Sequence, residues 1–149
     1  MEQRDFLKLQ IEQQGRALGQ LFARFLGLKS QGNAEEAIEI TNESLRTEFN
    51  VDIDQLLSLS PSDLNDYLTQ RKLTGESLMP LADYLMALAE ISWPTQQSRA
   101  VVMYRRVLLL YAIMDASADS YSLSRFEKEQ HINESFGDLP TLAKNRSFP

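Results

Sequence analysis

The chain has 149 residues, 24% charged and 43% hydrophobic, which suits one domain near the usual size of ~100 to 200 residues. Fifteen Lys and Arg against 21 Asp and Glu give a net charge of −6, which argues against nucleic-acid binding by phosphate neutralisation and against a polybasic membrane role. With no cysteine there is no disulfide, thiol nucleophile or zinc-thiolate site, which fits a reducing compartment.

Met1 to Asp5 is polar and is followed by Lys8, Gln10 and Glu12, so no secretory leader is expected and the chain is placed in the cytoplasm. The longest strongly apolar run, Val107 to Met114, is far short of the ~20 residues that span a bilayer.

Six glycines and five prolines punctuate stretches of helical period, and the expected class is all-α, with about seven helices in a single domain. A first helix over 3–29 places Leu7, Ile11, Leu18, Leu21, Phe25 and Leu28 on one stripe that Phe22 and Leu26 widen. Gly15, Gly19 and Ala23 form a small-residue row suited to close approach by another helix. Asn33 and Glu36 suggest a capping box for a second helix ending near Phe49, with Ala37, Ile38, Thr41 and Leu45 inward and Glu35, Glu39 and Glu43 outward. Asp52 with Gln55 and Ser60 with Asp63 repeat that capping logic for short helices at 53–58 and 61–70, the second with Pro61 in its first turn.

Ser77 is expected to cap the next helix, which tolerates Pro80 in its first turn and ends before Trp93-Pro94. Thr95 is expected to cap a helix over 96–116 that is apolar on nearly every side and therefore central. Ser124 and Glu127 open a weak last helix to about Ser135, so the domain spans 1–136 and residues 137–149 form an irregular tail. Residues 33–66 hold nine acids and one base, a net of −8, whereas residues 1–31 carry +2. One side of the molecule is therefore expected to be acidic.

Two helical pairs share a pattern: Leu21, Leu28, Gly32 and Ala37 in the first, and Tyr84, Ile91, Thr95, Ala100 and Tyr104 in the second. With Arg4-Asp5-Phe6, Ile11-Glu12, Leu26-Gly27-Leu28-Lys29, Glu36-Ala37 and Leu57-Ser58-Leu59-Ser60, the chain over about residues 3–115 resembles the tetratricopeptide-repeat-like (TPR-like) superfamily. Within it, the chain looks like a family of small bacterial proteins of unknown function. The resemblance implies TPR-like helical hairpins and a bacterial cytoplasmic setting, with no activity attached. The departures are Phe25 at the repeat's glycine position, Thr41 where an aromatic is usual, and no closing proline in the first unit. Tetratricopeptide grooves that grip a peptide carboxylate use Lys, Asn and Arg; the matching positions here hold Phe22, Leu26, Leu85 and Ala89, so no such clamp is expected.

No Gly-rich phosphate loop occurs. His131, with Glu127 and Glu134 within a helical turn, reads as a solvated residue rather than a metal ligand. Glu35, Glu36, Glu39 and Glu43 read as a solvated face. No catalytic residue, cofactor or metal is assigned. Arg99, Arg105 and Arg106 could meet an acidic partner or pair internally, and Trp93 could anchor an interface or plug the core. The leading expectation is a non-enzymatic protein-interaction module, with a protein partner or a homodimer, and candidate contacts Phe22, Leu26, Leu85, Trp93, Arg99, Arg105 and Arg106. The alternative is a small-molecule sensor or enzyme with a pocket between helices near Tyr84, Tyr104, Arg105 and Tyr111.

Overall fold

Gly32 makes the first reversal of the chain. Its φ of +89° lies where a side chain is strained, and the turn closes through Gln31 and Gly32 amides donating to the Leu28 and Lys29 carbonyls. The structure, a computed structural model, describes residues 2–117 and 128–132. Those residues contain helices and turns and no strand. The elements are α1 (Glu2–Ser30), α2 (Ala34–Phe49), α3 (Ile53–Ser58), α4 (Pro61–Gln70), a 3-10 turn (Gly75–Leu78), α5 (Met79–Ser92) and α6 (Gln97–Ser117). Residues 128–132 are helical, inside the span expected for a last helix. The remainder of that helix and the tail at 137–149 lie outside the described residues. Contacts divide the chain into two units, Met1–Ala118 and Asp119–Pro149.

In the first unit α1 packs on α2, on α5 and on the 3-10 turn, while α5 packs chiefly on α6. Two hairpins, α1/α2 and α5/α6, therefore share a core, with α3 and α4 between them in sequence. Phe25 and Tyr84 meet edge to face at 4.9 Å in its middle, where Leu45, Leu81 and Leu85 are also buried. The inner face of α2 is Ala37, Thr41, Leu45 and Phe49, and Glu35, Glu39 and Glu43 are exposed as expected.

Local caps set the short helices. The Gln55 amide donates to Asp52 Oδ1 and the Asp63 amide to Ser60 Oγ, so α3 and α4 start where the sequence places them. Three expected caps change. Asn33 occupies the N-cap place of α2 without a side-chain cap bond. Ser77 closes the 3-10 turn rather than opening a helix: its hydroxyl accepts from the Thr74 amide at 2.9 Å and donates to the Thr74 carbonyl at 2.6 Å. Thr95 stays within the turn after α5, where its amide donates to Ser92, and the Gln96 carbonyl accepts the first bond of α6 from Ala100.

The central placement of α6 is corrected as well. Ala100, Met103, Tyr104, Val107, Leu110, Tyr111 and Met114 are buried on one face, whereas Val102 is 43% exposed and Ala112 is exposed. A helix whose main neighbour is α5 has one face to bury, however apolar the other is.

Candidate functional site

The apolar stripe of α1 outruns its partners. At 1.5 Å per residue α1 is about 44 Å long and α2 about 24 Å, so with α2 folded back along it roughly 20 Å of α1 extends past the hairpin. Burial follows this length difference. Leu18, Leu21 and Phe25 are buried, Ile11 is half-buried, and Leu7 is 44% exposed. The apolar stripe is thus covered only from its middle onward. Phe6 at 61% and Leu9 at 46% add to the exposed apolar surface of the overhang.

Beside this overhang the chain returns through the corner at Thr74–Pro80. Gly15 is the contact point: a Cβ placed there would lie 3.1 Å from Ser77 Cβ and 3.2 Å from Ser77 Cα. Of the small-residue row Gly15, Gly19 and Ala23, only Gly15 serves a close approach, and to the 3-10 turn rather than to a helix. A Cβ on Gly19 would meet nothing within 4 Å, and Ala23 is exposed. Between the α1 overhang and the corner runs an open groove of about 830 Å3, with Leu7, Ile11, Gly15, Ser77 and Pro80 among its walls. Lys8, Glu12, Arg16 and Glu76 lie on the same walls and are exposed, two of each sign. Gln14, between Ile11 and Leu18 on α1, donates from Nε2 to the Arg71 carbonyl at 3.1 Å and ties the overhang to the end of α4. The groove has the size and apolar walls of a binding cleft.

A second cavity, between α1, α2 and α5 and walled by Phe22, Thr41 and Tyr84 among others, has about 10 Å3, at the lower limit for one water. Of the four polar groups considered for a pocket between helices, Tyr84 alone lines either cavity. Its hydroxyl donates to Asn42 Oδ1 at 2.7 Å, and burial holds its pKa well above the usual tyrosine value. Tyr104 stands edge to face with Trp93 at 6.3 Å, and burial, followed by the nearby Glu90 carboxylate, raises its pKa too.

None of the seven candidate contact residues lines the groove. Leu85 is fully buried in the core and offers no surface to a partner. Phe22 is half-buried, stacked on Phe25 at 6.3 Å, and Leu26 is exposed one turn on. Trp93 is half-buried against Tyr104. Arg99 donates to Asp54 Oδ1 at 2.8 Å, an internal pairing with the acidic segment. Arg106 donates from Nη2 to the Leu57 and Leu59 carbonyls at 3.1 and 2.8 Å, clasping the end of α3. Burial, and then the charge on Arg105, lowers the Arg106 pKa. Arg105 is half-buried on α6 and is itself engaged. Two of the three arginines thus bind within the chain's own segment 33–66, one through a carboxylate and one through backbone carbonyls.

His131 is exposed, and the two glutamates considered with it, Glu127 and Glu134, lie outside the described residues. Among the described residues no three His, Asp or Glu are gathered in a metal-binding group, and no helix is long and apolar enough to cross a membrane.

The groove was not found from sequence. Its signal was the length of the α1 stripe, which begins at Leu7 although the following helix has 16 residues and can cover little more than half of a 29-residue partner. Comparison with known proteins yields no match: no family model, no curated protein and no solved structure is significantly similar to this chain.

Proposed function

We infer that this chain is a helical protein-docking module, and that the groove beside the α1 overhang receives an apolar protein segment. The observation that carries the reading is the open groove walled by Leu7, Ile11 and Pro80, with Leu7 44% exposed. Such contiguous apolar surface marks interaction sites, whereas single exposed residues such as Ile40 on α2 are ordinary. The reading is non-enzymatic: the groove's charged groups stand on its open, solvated walls, and its polar 3-10 corner is closed on itself through Thr74 and Ser77. The two separated hairpins support keeping the TPR-like reading of the fold, and the cysteine-free composition is in keeping with a reducing, cytoplasmic setting.

A photo-crosslinking residue at Leu7, compared with one at Ile40, tests this. Irradiation in the native cell extract is expected to attach a defined polypeptide at position 7 and none at position 40. No adduct at position 7, or equal adducts at both, would refute the docking role of the groove.

A further inference from the structure

We draw no further inference here: the strongest candidate, the apolar groove of about 830 Å3 between the α1 overhang and the Thr74–Pro80 corner, belongs to the site already described, and nothing in the structure shows what covers it.

Discussion

Gly15 and Gly19 are four residues apart on one helix, yet alanine should act on them in opposite directions. Each substitution removes the ~1 kcal/mol helix-propensity penalty of glycine. At Gly19 nothing lies within 4 Å of the added methyl, so the full gain of about 1 kcal/mol is expected. At Gly15 the methyl meets Ser77 Cβ at 3.1 Å and Cα at 3.2 Å. Ser77 cannot swing away cheaply, because its hydroxyl both accepts from and donates to Thr74 and its amide donates to the Thr74 carbonyl. Overpacking of this kind costs ~1 to 3 kcal/mol, which against the propensity gain leaves a net loss of about 1 kcal/mol. The two variants should therefore differ by about 2 kcal/mol, or roughly 5 °C in melting temperature for a chain of this size. Urea unfolding followed at 222 nm, at 1 µM protein to keep association out of the measurement, reads the difference as a shift of midpoint at constant slope. If Gly15→Ala is as stabilising as Gly19→Ala, the close approach of α1 to the Thr74–Leu78 corner is wrong, and the groove built on it falls with it.

Arg106→Met removes two partly buried hydrogen bonds at the end of α3 and should cost about 1 to 2 kcal/mol, while Arg99→Ala, whose exposed pair with Asp54 is screened by water, should cost no more than ~0.5 kcal/mol; parallel urea titrations check the contrast, and equal losses would remove the clasp from the account. Tyr84 gives a pH prediction. Its folded pKa is raised by burial above the usual tyrosine value of about 10, so its neutral form is favoured by the fold; the contribution is complete below pH 10 and is lost as pH rises from there toward the folded pKa. Between pH 10 and 11.5 the wild type should therefore lose stability faster than Tyr84→Phe, by up to ~1.4 kcal/mol per pH unit, and parallel slopes would contradict the burial of that hydroxyl. At pH 7 the same variant should be less stable by about 1 kcal/mol for the lost bond to Asn42.

What the sequence revealed and what it concealed divide along one line, the range of the interaction. Helix boundaries depend on residues a few positions apart, and there the reading held: Gly32 turns the chain with positive φ, and Asp52 and Ser60 accept the capping amides. Even among local features, Ser77 escaped, since a serine three residues after Thr74 serves a 3-10 turn as well as a helix cap. Which apolar residues are covered depends on partners far along the chain. The outer face of α6 carries Val102 and Leu109 and reads like core, but its burial requires a neighbour that α5 alone does not supply. Ala89 and Leu26 occupy equivalent positions in the two helical pairs, yet the first is sealed between elements and the second is exposed. Periodicity reports which face is apolar; it carries no information on how far the covering helix reaches.

The same length mismatch fixes the dynamics of the overhang. Roughly a dozen helical residues standing alone in water are marginal, because nucleation is unfavourable and each added residue contributes little. Here nucleation is already accomplished by the packed half of α1, so the overhang is an extension whose opening free energy should fall from near the global value at Leu18 toward zero at its tip. The Gln14 bond to Arg71 ties α1 to the end of α4 near the base of the overhang. Amide hydrogen exchange at 1 µM should therefore show protection that declines from Leu18 to Leu7, with a step near Gln14. Uniform protection along α1 would mean that the overhang is already covered, and neither its exposed apolar residues nor the groove beside it would need a partner.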